Sequence, residues 1–85
     1  MTATIDGASQ PYDAVADLEE MGCGDLAIAL MQAMQPLQVG QILKVRALDP
    51  GAAEDIPAWC RMRGHRLLAG PNEQDHEHYY LQKGA

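Results

Sequence analysis

The 85-residue sequence has few hydroxyl side chains other than tyrosine, namely Thr2, Thr4 and Ser9. All three fall in an N-terminal stretch that we expect to be frayed. A serine-type catalytic triad needs an ordered hydroxyl nucleophile, so we do not expect one here. The chain also contains neither a GxxxxGK[ST] nor a GxGxxG motif, and nothing else in it indicates a phosphate cradle. Activated-hydroxyl hydrolysis and nucleotide chemistry are therefore disfavoured.

Basic residues are scarce as well. Six Lys and Arg stand against twelve Asp and Glu, which gives a formal net charge of -6. Direct binding of nucleic acid needs clustered positive charge with little opposing charge, so this composition argues against it. Lys44, Arg46, Arg61 and Arg63 nevertheless make the middle of the chain locally basic, either as an ordinary solvated surface or as a docking patch for an acidic partner.

Cysteines are few, and long apolar runs are absent. Cys23 and Cys60 are the only two cysteines, and they form neither a disulfide framework nor a CxxC zinc motif. No apolar run approaches the roughly 18 residues that span a bilayer, and the first dozen residues lack the blocks of a signal peptide. We expect a cytoplasmic protein with reduced thiols and no membrane contact.

The patterns that are present predict one small domain. Residues 1–11 are predicted to be disordered and residues 12–83 to form a single α/β domain, since a chain this short fills one core. Periodicity predicts a β-α-β-α-β-β order, with strands at 12–18, 41–47, 65–70 and 78–83 and helices at 25–35 and 53–63. Right-handed crossovers would then place both helices on one face of a mixed four-stranded sheet.

The start of the second helix is the least certain boundary in this pattern. Pro57 lies inside the helical stretch and lacks a backbone N–H. We expect either a later start, with Asp55 as N-cap, or a bent helix. Gly64 is predicted to end this helix, and Arg61 and Arg63 suit the negative end of its dipole.

Cys23 is the candidate for chemistry because of its position. It lies between Gly22 and Gly24 at the start of a helix, where free N–H groups and the helix dipole favour a thiolate. Asp25 can cap the helix but opposes a second anion, so we expect only a mild lowering of the Cys23 thiol pKa. The alternative is a cysteine that merely fills a tight turn. Cys60, beside Trp59 on an amphipathic helix, is predicted to be buried.

A metal site is the remaining possibility from residue types alone. His76 and His78 have strand spacing and would bind a metal only if a third ligand converged on them. No such partner is visible in the sequence, so we predict a solvated loop, no metal and no cofactor.

Several short motifs together carry a family resemblance. They are Asp49-Pro50, Asp55-Ile56-Pro57, Trp59-Cys60 and Gly64-His65 followed by Leu67-Leu68. A further point of resemblance is the interval from Cys23 to Gly40, which equals the spacing in the same family between the functional cysteine and the glycine before the second strand. On these residues the chain, from about Tyr12 to Lys83, resembles the TusA/SirA-like sulfur-carrier family.

The resemblance implies a two-layer sandwich in which Cys23 accepts sulfane sulfur as a persulfide and relays it to another protein. It implies a sulfurtransferase-type carrier rather than an independent multi-turnover enzyme, and we expect the protein to be a monomer. The donor would be a protein of cysteine desulfurase or rhodanese type, and the acceptor protein is not identified by the sequence.

One feature departs from the family pattern. The family signature is Cys-Pro-x-Pro, whereas this chain has Cys23-Gly24-Asp25-Leu26. Proline after the cysteine would be pre-set for the first helical turn, and glycine relaxes that constraint. The alternative function is therefore a non-catalytic interaction or regulatory domain that keeps the fold and docks through Trp59, Tyr79 and Tyr80 or through the basic residues.

Overall fold

The computed structural model describes residues 11–73 and 75–84. Residues 1–10, which make up nearly all of the expected N-terminal segment, lie outside the described residues, as do Gln74, Ala85 and the side chain of Cys23. Neither helix of the described chain has the length and apolar character needed to cross a membrane.

Six elements follow one another in the predicted order. They are β1 (Ala14–Glu19), α1 (Cys23–Met34), β2 (Ile42–Ala47), α2 (Ala52–Arg63), β3 (Arg66–Ala69) and β4 (His78–Gln82). The sheet order is β1-β2-β4-β3, with β1 parallel to β2 and the other two pairings antiparallel. The predicted β-α-β-α-β-β fold with a mixed four-stranded sheet is confirmed.

The central strand β2 shows how the sheet divides into two faces. Leu43, Val45 and Ala47 are buried, whereas the residues between them are only partly buried. Leu43 is opposite Leu81 and Val45 is opposite Tyr79 in β4, so buried side chains meet across the pair. Because side chains alternate along a strand, this face carries the core and packs against both helices.

Helix α1 is anchored by a regular apolar stripe. Leu26, Leu30 and Met34 are four residues apart, which places them on one helix face, and all three are buried. Full burial of side chains of this size contributes about 1.5–3 kcal/mol each. The stripe therefore fixes α1, and with it the backbone of Cys23, against the sheet.

Helix α2 starts earlier than expected. It begins at Ala52, so the prediction of a later start with Asp55 as N-cap is wrong. Asp49 organises the preceding turn: its carboxylate accepts a hydrogen bond from the Gly51 N–H at 2.9 Å, and its carbonyl accepts one from the Ala52 N–H at 3.0 Å. Pro57 consequently lies inside the helix.

The end of α2 is where the sequence placed it. Gly64 follows Arg63 with φ 78°, in the left-handed region that glycine enters without a side-chain clash. The next residue, His65, donates its backbone N–H to the Cys60 carbonyl at 2.8 Å. This hydrogen bond closes the end of the helix, and the chain then continues into β3.

Candidate functional site

Cys23 is the first residue of α1 and directly follows the N-cap residue Gly22. Gly22 has an extended backbone (φ -83°, ψ -176°), and its carbonyl accepts the first helical hydrogen bond from the Leu26 N–H at 2.7 Å. No side-chain hydrogen bond caps the helix at Gly22. The early amides of a helix have no partner within the helix, so this turn presents the positive end of the helix dipole.

The connection from β1 to α1 is tied to the sheet. Glu19 has a positive φ of 51°, and its N–H is held by the Asp17 carboxylate at 3.2 Å. The Glu19 carbonyl accepts a hydrogen bond from the Leu48 N–H at 2.7 Å, just beyond the end of β2. β1 and β2 are parallel, so Cys23 follows the edge of the sheet where both strands have their carboxyl ends.

The residues on either side of Cys23 are open to solvent. Met21 is 39% exposed, and Gly22, Gly24 and Asp25 are all exposed. A Cβ added at Gly24 would meet no atom within 4 Å. The side chain of Cys23 itself lies outside the described residues, so its expected exposure stays a prediction. The turn around it is nevertheless accessible to another macromolecule.

Two exposed apolar residues near this turn were not among the site residues predicted from the sequence. Met21 precedes the N-cap, and Ile28, one turn after Gly24, is 54% exposed. Ile28 lies off the buried Leu26–Leu30–Met34 stripe, and that offset is the signal in the sequence that could have identified it. Apolar side chains beside a reactive turn can contribute to partner contact.

Charge near the turn is acidic. Asp17 is paired with Arg46 at 2.9 Å, and Arg46 also binds Glu77 at 3.2 Å. Hydrogen bonds to Asp17 and then to Glu77 raise the pKa of Arg46, which keeps this pair of ion pairs charged. Glu19, Glu20 and Asp25 are exposed and form no ion pair within the described part of the chain.

Cys60 provides the contrast to Cys23. It is 2% exposed, and burial raises the pKa of its thiol to about 11. A thiol that is both covered and protonated at neutral pH is a poor nucleophile. The prediction that Cys60 belongs to the core is confirmed.

The histidine-containing loop is organised by one carboxylate. Asp75 accepts hydrogen bonds from the backbone N–H groups of Glu77 and His78 and lies 2.9 Å from the His78 ring Nδ1. The hydrogen bond from the Glu77 N–H is the main cause that lowers the pKa of Asp75. Residues 11–73 and 75–84 bring no three His, Cys, Asp or Glu side chains together as metal ligands.

The four basic residues singled out from the sequence fall into two groups. Lys44 and Arg46 lie on the sheet face that is turned away from the helices, where Lys44 is over the Tyr12 ring at 5.0 Å. Arg61 and Arg63 are exposed in the last turn of α2. The structure therefore does not bring the four together in one patch.

The aromatic residues considered for docking are buried. Trp59, Tyr79 and Tyr80 have exposed fractions of 5%, 2% and 7%. Their surfaces are already used in packing, which removes them as the docking surface of an interaction domain.

Comparison with known proteins relates this geometry to a family. The sequence matches the family model described as sulfurtransferase TusA over residues 15–83. It is 39% identical over 72 residues to the YrkI protein of Bacillus subtilis, covering 85% of this chain and 96% of that protein. It is 36% identical over 73 residues to the sulfur carrier protein TusA of Pseudomonas putida, covering 86% and 91%. The TusA of Pseudomonas paraeruginosa is 32% identical over 77 residues, with 91% and 98% covered.

Proposed function

The chain belongs to the TusA sulfurtransferase family, and from that premise we propose that it is a sulfur carrier that holds sulfane sulfur as a persulfide on Cys23. The observation that carries the proposal is the position of Cys23 as the first residue of α1, between glycines that are both exposed. A carrier needs an accessible thiol and no enclosed pocket, because the reaction takes place between two proteins, and a turn with exposed neighbours suits that need.

The loading step is a thiol exchange that balances without another reactant. The Cys23 thiolate attacks the terminal sulfur of a donor persulfide, the S–S bond of the donor breaks, and the donor cysteine leaves as a thiolate. The new S–S bond is on Cys23, and the proton of the terminal sulfur is retained or exchanged with water. Delivery repeats the step with the acceptor thiolate as the attacking group.

The local structure supports the thiolate form without supplying a base. The uncapped start of α1 contributes the positive end of the dipole, worth about 0.3–1 kcal/mol at an exposed helix end. Asp25 in the same turn opposes this effect. Gly24 leaves the turn less constrained than a proline would, so the approach of the partner contributes more of the final geometry.

The surface around Cys23 favours a partner of complementary character. Met21 and Ile28 offer exposed apolar contacts, while Glu19, Glu20 and Asp25 add negative charge. Partner proteins with basic and apolar side chains around their own reactive cysteine fit this surface. We assign the donor to the cysteine desulfurase or rhodanese type, the acceptor to a second protein, and the site of action to the reducing cytoplasm.

Intact-mass measurement tests the proposal directly. The protein is incubated with a cysteine desulfurase and cysteine, and in a second reaction with a rhodanese and thiosulfate. At least one of these donors is expected to add one sulfur atom to the wild-type chain. Cys23→Ser should abolish the gain, because its hydroxyl cannot form a persulfide.

Cys60→Ala is the matched control, since it removes the other thiol and leaves the first turn of α1 unchanged. It should load like the wild type once circular dichroism shows that it is folded. Loading of Cys60 instead of Cys23 would contradict the proposal. Absence of any added sulfur, under conditions that load another TusA protein, would favour the interaction-domain alternative.

A further inference from the structure

A cavity of about 120 Å³ lies between the C-terminal ends of the two helices, far from the reactive turn. Met31 and Met34 of α1 and Trp59 of α2 form part of its lining. Met34 is eleven residues along α1 from Cys23, which corresponds to about 16 Å at 1.5 Å per residue. The cavity is therefore a separate feature from the sulfur-carrying turn.

One buried donor beside this cavity is unsatisfied. Trp59 is 5% exposed, and its indole Nε1 has no hydrogen-bond partner among residues 11–73 and 75–84. Buried N–H groups are nearly always paired in folded proteins, because leaving one unpaired costs its full desolvation. An acceptor that reaches Nε1 would remove this cost.

His65 adds a second donor to the same wall. Its ring packs against Trp59 with centroids 5.1 Å apart and the ring planes tilted by 33°, and its Nδ1 accepts the Gly84 N–H at 3.0 Å. With Nδ1 as acceptor, the ring proton is on Nε2, which is then a donor. Burial, Lys83 and Arg63 lower the pKa of His65, so this neutral form persists at pH 7.

The charges around the cavity are all positive. Arg63 and Lys83 line it, and its lining contains neither Asp nor Glu. Lys83 is occupied, because its Nζ binds the backbone carbonyls at the end of α1. Arg63 is exposed and has no carboxylate partner in the described residues, so its guanidinium is free to bind an anion.

We propose that this cavity binds a small organic carboxylate with a compact apolar body. The apolar body lies against Met31, Met34 and Trp59, and the carboxylate lies between Arg63 and the ring donors. At about 120 Å³ the cavity is smaller than the roughly 150 Å³ that holds benzene, so at most one ring enters it and the carboxylate remains at its opening, beside the exposed Arg63. Because Trp59 Nε1 is covered, the side chains around it must move before the carboxylate reaches it, whereas binding to the exposed Arg63 needs no such movement.

Benzoate is the probe for this proposal. Trp59 is the only tryptophan, so its fluorescence reports on the cavity wall directly. Titration of the full chain with benzoate should change this fluorescence and shift the amide signals at the ends of α1 and α2 in a heteronuclear NMR spectrum. Benzamide, the neutral isostere, should bind more weakly because Arg63 favours the charged ligand.

Two neighbouring arginines provide matched variants. Arg63→Gln should weaken benzoate binding about five- to tenfold, the loss expected for a charged hydrogen bond at a partly exposed position. Arg61→Gln removes the same charge two residues earlier on α2, outside the lining, and should bind benzoate like the wild type. Trp59→Phe, followed by NMR, should also weaken binding, since it keeps a ring and removes Nε1.

The proposal is independent of sulfur transfer, and Cys23→Ser should bind benzoate unchanged. Equal weakening by Arg61→Gln and Arg63→Gln would show nonspecific attraction and overturn it. It would also be overturned by amide shifts scattered over the surface, or by no response at millimolar benzoate in a protein that NMR shows to be folded.

Discussion

Lys83 connects the last strand to the end of helix α1, and replacing it by methionine should destabilise the protein substantially. Its ammonium group lies 3.1, 3.3 and 2.6 Å from the backbone oxygens of Met34, Gln35 and Leu37. Carbonyls at the end of a helix have no partner within the helix. The Met34 carbonyl also accepts the Leu37 N–H at 3.1 Å, so it is the carbonyls of Gln35 and Leu37 that depend most on Lys83. Methionine keeps the length and apolar stem of lysine while removing all three donors.

The expected loss follows from this geometry. A hydrogen bond to a charged group is worth about 1.5–3 kcal/mol when the site is shielded, and a cation at a helix C-terminus contributes a further 0.3–1 kcal/mol or so. Lys83 and its nearest acceptors are only partly buried, and three bonds share one ammonium group, so we expect about 2 kcal/mol in total. For a domain of this size that corresponds to a drop in Tm of about 8–16 °C.

Urea denaturation followed by far-UV circular dichroism measures the change. Lys44→Met is the matched control, because Lys44 is the only other lysine and contacts aromatic rings at 5.0 and 5.8 Å rather than carbonyls. An exposed cation–π contact is worth about 0.5–1 kcal/mol, so the control should lose clearly less. Equal losses in the two variants, or a loss below about 0.5 kcal/mol for Lys83→Met, would refute the reasoning.

Three other predictions rest on single residues. Gly64→Ala should lower the free energy of unfolding, measured with urea, by about 1–2 kcal/mol because φ is 78° there. Gly24→Ala should raise it by about 0.5–1 kcal/mol, because Gly24 lies inside α1 with open space at Cβ. A change of the same sign in both variants would contradict this. Iodoacetamide at about pH 8 should label the folded chain at Cys23 only, because a pKa of about 11 leaves roughly 0.1% of Cys60 as thiolate. Unfolding should make both thiols available for labelling. Rapid labelling of Cys60 in the folded chain would contradict this prediction. Burial lowers the pKa of His65 below its unfolded value of about 6.5, so its contribution to stability is complete above that pH and is lost as the pH falls through the folded pKa. In a pH series of urea denaturation, the free energy of unfolding should therefore decline less for His65→Gln than for the wild type. Identical slopes for the two proteins would count against this.

Much of the fold could be read from local patterns. The alternation around Ala14, Ala16 and Leu18 identified β1, and Gly64 identified the end of α2, because each signal depends on neighbouring residues alone. The start of α2 could not be read in the same way. The Asp49 carboxylate stabilises the turn before it, and burial of Ala52, Ile56 and Trp59 outweighs the hydrogen bond that Pro57 cannot donate.

The candidate site and the cavity also differ in how far they depend on neighbouring residues alone. The place of Cys23 at the start of a helix could be predicted because a glycine-flanked cysteine before a helical pattern is a local feature. The cavity beneath Trp59 could not, because its walls come from the end of α1, the end of α2 and the residue after β4. No window of sequence contains Met34, Arg63 and Lys83 together, so only the packed structure brings them to one place.

The two ends of α1 differ in how they are held, and this difference explains how an 85-residue chain can expose the turn at Cys23 without losing its fold. At the C-terminal end, Lys83 binds three carbonyls and Met34 is buried, so this end is anchored to β4. At the N-terminal end, Gly22 provides no side-chain cap, and the helix starts with its amides unpartnered by side chains. The stability that a cap would add there, about 1 kcal/mol, is supplied instead by Leu26 and Leu30, which hold the first turns against the sheet. A side-chain cap at Gly22 would place another group beside Cys23 and occupy the same amides. A helix start that is held by buried leucines and left without a side-chain cap therefore fits the proposed exchange of sulfur between proteins.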